Sequence, residues 1–141
     1  MMDSSLKKIV NFIEDHHVMS LATFSDDELS ACSLFYAYNE ERKIFIFASS
    51  KDTKHIKHIV SNAKVAGNIL LETQKVGEIK GLQFSGQCSE IQEKLLKLEY
   101  FKNFPYALAL NPTLWQIEVE SFKLTDNSFG FGKKILWKQE T

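Results

Sequence analysis

Leu6, Ile9, Val10 and Ile13 recur at the i, i+3, i+4, i+7 spacing of an amphipathic helix, with a cap expected near Ser4 or Ser5. From Val18 the period changes to two. "VMSLATF" predicts a strand and "SDDE" the turn after it, while "LSACSLFYAY" and "KIFIFAS" predict two more strands joined through "NEER". The polar elbow "SSKDTK" then opens a short helix whose buried face is Ile56, Ile59 and Val60, with His55 at its margin and His58 turned to solvent. "NAKVAGNILL" predicts a fourth strand, with a polar turn near "ETQKVGE" behind it.

The clearest alternation lies in "KGLQFSGQCSEI", where Leu82, Phe84 and Cys88 share one face and Gln83, Ser85, Gln87 and Ser89 the other. Gly86 occupies an apolar-face position, which suggests a bulge, a bend or the close approach of another group. "EIQEKLLKLEYFKNF" predicts a helix, and Pro105 and Pro112 flank an irregular stretch. In "LWQIEVESFKLTDN" the apolar parity set by Trp115, Ile117 and Val119 shifts at Ser121, so that Phe122 and Leu124 come next; a β-bulge shifts parity in this way. "FGFGKKILW" ends the pattern as a short strand that closes the sheet or docks on a second subunit. Most connections are too short for parallel crossovers. The fold class is therefore mainly β (α+β): a mostly antiparallel barrel of six or seven strands, closed or nearly so, with helices at its rim.

A chain of 141 residues suits one domain spanning residues 1–141. Apolar residues at 44% and charged residues at 25% fit an ordinary globular protein, and a net charge of −1 gives no electrostatic reason for a nucleic-acid partner. No apolar run approaches the roughly 18 residues of a membrane span, and the N-terminus lacks a signal-peptide block. Cys32 and Cys88 form no metal or redox motif and read as buried free thiols of a cytoplasmic protein. Most of the aromatic residues, Phe35, Tyr36, Phe45, Phe47 and Phe84 among them, are expected in the core.

The elbow carries the chemistry. Free N–H groups at a helix start, the hydroxyls of Ser49, Ser50 and Thr53, and the charges of Lys51 and Lys54 are the parts of an anion site. Asp52 supports a second reading, as the carboxylate cap of an ordinary turn. The Gly-rich phosphate loop is absent. His55 and His58, three residues apart, suit either a metal or haem edge or surface imidazoles, and no third ligand has convincing spacing. The acidic pairs Asp26–Asp27 and Glu40–Glu41 fall in turns, and no serine sits in a nucleophile elbow.

Taken in order, the run from "HVMSLATF" through "FIFASSKDTKHIKHIVSNAKVAGNI" and on to "IKGLQFSGQCSEI" resembles the split-barrel flavoproteins related to pyridoxamine 5′-phosphate oxidase, and the "DNSFGFGKKILW" tail is similar to small bacterial members. The resemblance extends from Ile9 to Trp137. It implies a six-stranded antiparallel split β-barrel with peripheral helices, forming a homodimer that binds FMN in grooves at the subunit interface. The matching positions are Ser33, Leu34, Phe35 and Tyr36 along the flavin ring and Ser49, Ser50, Thr53 and Lys54 around its phosphate, with Gln83, Lys134 and Trp137 completing the cofactor set. The chain departs from the oxidases in three places. Cys32 or Ser33 stands where they carry an arginine, Gly81 stands where they carry a glutamine, and their C-terminal Arg/His motif is replaced by Lys133, Lys134 and Trp137. Pyridoxamine phosphate oxidation is therefore not expected. The resemblance implies an FMN-dependent oxidoreductase acting on a small molecule; the alternatives are a carrier of flavin, haem or another planar ligand, and a ligand-free remnant of the fold.

Overall fold

The computed structural model of the protein describes residues 4–140. Helix α1, Ser4–Glu14, buries Ile9, Val10, Phe12 and Ile13, and Ser4 and Ser5 are already helical at the limit of the described chain. Strand β1, Val18–Ser25, alternates in burial along its whole length and turns through Asp26 and Asp27 into β2, Glu28–Phe35. Both aspartates have positive φ (52° and 61°), as a two-residue hairpin turn requires. The expected long second strand breaks at Tyr36 and resumes as β3, Ala37–Asn39, which pairs through the "NEER" hairpin with β4, Ile44–Ala48. Helix α2, Lys54–Ser61, leads to β5, Lys64–Leu70, and then to β6, Lys80–Glu90. Helix α3, Lys94–Asn103, is shorter than its sequence pattern because Glu90 still belongs to β6. A 3₁₀ turn at Pro105–Leu110 connects it to β7, Leu114–Asp126, and the tail forms β8, Lys134–Lys138.

Eight strands thus replace the six or seven expected, but the ring has six staves. The pairing order is β2-β1-β5-β6-β7-β4-β3, all antiparallel, and β2 runs into β3 through the single residue Tyr36. The two ends of the path are therefore one bent stave, and β8 lies outside the ring, paired to β7. The parity shift in β7 is a bulge: Ser85 faces Ser121 while Gly86 faces Val119, which leaves Glu120 unmatched on β6. At this residue the other edge of β7 changes partner, from β4 along Leu114–Glu118 to β8 along Ser121–Thr125. The barrel splits there.

Two apolar clusters follow from this geometry. Phe45, Phe47, Phe84, Phe122 and Leu82 fill the barrel together with Ile13 of α1 and Ile56 of α2. On the other face of β4, Ile44 and Ile46 pack with Leu96 and Tyr100 of α3. Buried on both faces, β4 is apolar without alternation. Among the strands, two expectations about burial fail. Phe35 is 56% exposed and rests near Phe104, their ring centroids 6.2 Å apart, because its position on β2 points out of the barrel. Cys32 is only half-buried, whereas Cys88 is fully buried and its thiol is pushed up to about 12 by burial; both are free.

Candidate functional site

The elbow begins where β4 ends. The Ser49 N–H donates to the Thr113 carbonyl (3.1 Å), and the Trp115 indole N–H donates to the Ser49 carbonyl (2.9 Å), so the first elbow residue is pinned to the start of β7. The cap of α2 is Thr53, whose hydroxyl accepts from the Ile56 N–H and donates to the Ser50 carbonyl. In the second reading of the elbow that cap is Asp52. Its carboxylate instead takes the Ser50 hydroxyl, one residue too early to reach the helix N–H groups.

The two lysines of the elbow diverge. Lys51 pairs with Glu90 at the end of β6 (3.5 Å), and Lys54 with Glu28 at the start of β2 (3.2 Å). Both pairs are exposed, and such pairs contribute little to stability. Ser49, Ser50 and Lys51 line one groove of about 530 Å³ with Asn111, Pro112 and Thr113. Lys54 lies in another of about 540 Å³, beside Asp26, Glu28, Asp52 and Lys57. The expected phosphate ligands are therefore neighbours in the chain that face two sides of one turn.

The histidines have specific partners. His55 Nε2 shares a 2.6 Å hydrogen bond with the Ser49 hydroxyl, and burial, followed by the nearby His58, holds the His55 pKa below the ordinary imidazole value. His58 is not turned to solvent as its helical position suggested: it is 5% exposed, with Nδ1 2.9 Å from the Thr23 hydroxyl and Nε2 3.1 Å from Glu28 Oε1. Val60, expected in the buried face, is 75% exposed. α2 packs chiefly on β1, which places its buried stripe on Ile56, Ile59 and His58. No group of three or more metal-ligating side chains is present among the described residues.

On β2, Ser33 faces outward and Leu34 packs against the core, while buried Tyr36 donates its hydroxyl to the Ile13 carbonyl at 2.6 Å. Of the ring-contacting set, only Ser33 and Phe35 are outward on this chain. Strand pairing carries Ser33 across the sheet in one row, through Ser20 and Asn68 to Gln83 and Lys123. At about 4.8 Å between strands, Ser33 and Gln83 stand ~14 Å apart on one face. The adjoining row is a line of small side chains, Ala31, Ala22, Ala66, Ser85 and Ser121, ending at Lys138. Apart from Ser33, which lies beyond its edge, these two rows form the floor and rim of an outer groove of about 890 Å³, and the Ser85 and Ser121 hydroxyls are hydrogen-bonded at 2.6 Å. Trp137 borders this groove, with its ring 5.8 Å from Phe122 and beneath Lys43. Lys134 lies apart, its ammonium donating to the Gly132 carbonyl.

Of the sequence-derived residues, Ser49, Ser50, Thr53 and Lys54 lie at the elbow and Gln83 and Trp137 at the outer groove, while Ser33, Leu34, Phe35, Tyr36 and Lys134 lie in neither. Sequence reasoning missed Ser20, Asn68, Lys123 and Lys138 in the groove; their outward parity was the available signal, but parity does not say which strands become neighbours. No local signal marked the Thr23–His58–Glu28 chain.

The family model described as pyridoxamine 5′-phosphate oxidase matches residues 5–124. A UPF0306 protein from Photorhabdus laumondii is 31% identical over 134 residues, covering 93% of this chain and 94% of the relative. Two solved structures share the fold. One, a haem-binding protein from Mycobacterium smegmatis, has a TM-score of 0.80 at 11% identity and covers 98% of this chain and 59% of its own. The other, an FAD-binding protein from Mesorhizobium loti, has a TM-score of 0.71 at 18% identity and covers 84% of this chain and 90% of its own. No helix among the described residues is long and apolar enough to cross a membrane.

Proposed function

The chain belongs to the pyridoxamine 5′-phosphate oxidase family, whose members bind flavins, and from that premise we propose that it is an FMN-binding homodimer with a flavin-dependent oxidoreductase activity on a small molecule. The outer groove carries the reading. Its floor of adjacent Ala and Ser side chains is flat enough for a fused aromatic ring, and the side-chain amides of Asn68 and Gln83 suit the donors and acceptors along a flavin's edge. Lys123 and Lys138 add positive charge at the rim.

The elbow cluster would hold the phosphate, with Lys54 as countercharge and the hydroxyls of Ser49, Ser50 and Thr53 as donors once they turn from His55, Asp52 and the Ser50 carbonyl. Elbow and groove are separate clusters on one chain, and a two-fold pairing that sets one subunit's elbow against its partner's groove would complete two equivalent sites. Bound FMN supplies hydride or electron transfer; the chain supplies seat, orientation and electrostatics.

Haem binding, named for the Mycobacterium smegmatis neighbour, draws less support from these residues. His58 is buried with both ring nitrogens hydrogen-bonded, and His55 Nε2 is engaged by Ser49.

The test is a fluorescence titration of cofactor-stripped protein with FMN and with riboflavin. FMN binding that weakens markedly for riboflavin supports both the groove and the phosphate seat, and reductase assays follow. Binding of neither flavin overturns the reading, and a Soret band on adding haem would then favour the carrier alternative.

A further inference from the structure

We propose that Glu28 is a built-in competitor for the phosphate seat, holding Lys54 away from the serine side of the elbow until a phosphate displaces it. The inference rests on the FMN reading above and concerns how tightly the same site holds a phosphate. The two oxygens of Glu28 have different partners: Oε1 lies 3.1 Å from His58 Nε2, and Oε2 accepts from the Lys54 ammonium at 3.2 Å. On the far side of the imidazole, Nδ1 is 2.9 Å from the hydroxyl of Thr23, which is 2% exposed. His58 is therefore fixed between α2 and β1, and it fixes Glu28 in turn. Lys54, long and exposed, is the movable member of the group.

The surroundings reinforce the tether. The groove holding Lys54 is lined by Asp26 and Asp52 besides Glu28, with Lys57 as its second lysine. On the serine side, Ser49 and Ser50 share a groove with Lys51, Asn111, Pro112 and Thr113, where Asp52 accepts from the Ser50 hydroxyl and Glu90 pairs with Lys51. A phosphate resting on Ser49 and Ser50 gains the charge of Lys54 only if the lysine leaves Glu28. His58, and then Lys54, hold the Glu28 carboxyl below its usual range, so the competitor stays charged at neutral pH. A terminal phosphate monoester, with close to two negative charges, outcompetes one carboxylate for an ammonium. A neutral or singly charged ligand gains far less from the exchange. Glu28 thus lowers the affinity of the seat for a phosphomonoester by the cost of releasing Lys54, and His58 is the positioning residue behind it.

Glu28→Gln removes the charge but keeps an oxygen that accepts from His58 Nε2–H. Dissociation constants for FMN and riboflavin are measured on wild type, Glu28→Gln, Lys54→Ala and the double variant, with circular dichroism to verify the fold. Glu28→Ala serves as a second variant if Glu28→Gln folds poorly. The expected result is FMN binding two- to five-fold tighter in Glu28→Gln, unchanged riboflavin binding, and no gain in the Lys54→Ala background. If wild type prefers FMN to riboflavin but Glu28→Gln leaves both affinities unchanged, the competitor role is overturned and the phosphate seat stands. A gain that survives removal of Lys54 overturns the route through that lysine. Equal affinity of wild type for FMN and riboflavin overturns the phosphate seat, and the competitor with it.

Discussion

Gly86 lies against the backbone of Glu118 so closely that a β-carbon at Gly86 would overlap the Glu118 carbonyl oxygen. This contact sits beside the β7 bulge, where the register shifts and β7 changes partner from β4 to β8. Its consequence is a sharp mutational sensitivity. Gly86→Ala should destabilise the protein by about 2–4 kcal/mol, because the clash is with backbone rather than a movable side chain. Urea denaturation measures this directly, and a loss below about 1 kcal/mol would mean the bulge relaxes freely.

Tyr36 is both the bend that makes β2 and β3 one stave and a link to α1, since its buried hydroxyl donates to the Ile13 carbonyl. Tyr36→Phe keeps the ring and leaves that carbonyl with only the longer bond from the His16 N–H (3.3 Å). The expected cost is about 1–2 kcal/mol, with faster amide exchange in the last turn of α1. An unchanged denaturation midpoint would show that α1 is held by apolar packing alone.

His55 gives the protein a predictable acid response. Its folded-state pKa lies below the ordinary 6.5, first through burial and then through the charge of His58. The unfolded chain therefore binds the proton more readily, so the contribution is fully present above about pH 6.5 and is lost as pH falls through the lower folded pKa. Melting temperature should decline as pH is lowered from 7.5 towards 5, and His55→Gln should flatten that decline. A variant with the wild-type slope would assign the acid response to other groups.

The outer groove offers a test independent of the elbow. Ala66 faces outward in the small-residue row, so Ala66→Trp should leave the core intact while filling the floor. FMN affinity should fall at least ten-fold with a melting temperature within about 2–3 °C of wild type, consistent with a surface change of under about 0.5 kcal/mol. Full retention of FMN binding would place the flavin elsewhere.

The parts of the fold that were readable in advance share one cause. Alternation in β1, β6 and β7 reports a sheet with one buried face, and the phase jump at Ser121 located the bulge because an extra residue inverts every later side chain. The misreadings also share a cause. His58 and Val60 were placed by helical period alone, but the period gives the angle between residues and not which arc of the helix meets the barrel. Residue type makes Asp52 a candidate cap, whereas the turn geometry gives that role to Thr53. The outward parity of Gln83 and the start of α2 after the elbow were legible along the chain, but their placement in separate grooves was not.

The amino-acid sequence by itself determined the helices, the strand faces, the bulge and the polar elbow, because each depends on residues within a few positions of one another. Tertiary structure decided the ring closure through Tyr36, the row of small side chains across five strands, and the Thr23–His58–Glu28–Lys54 chain. Thr23 and His58 are 35 positions apart, and Glu28 and His58 30. Contacts at such separations are set by strand register and helix docking, where burial of one apolar face selects the neighbours and the polar partners follow.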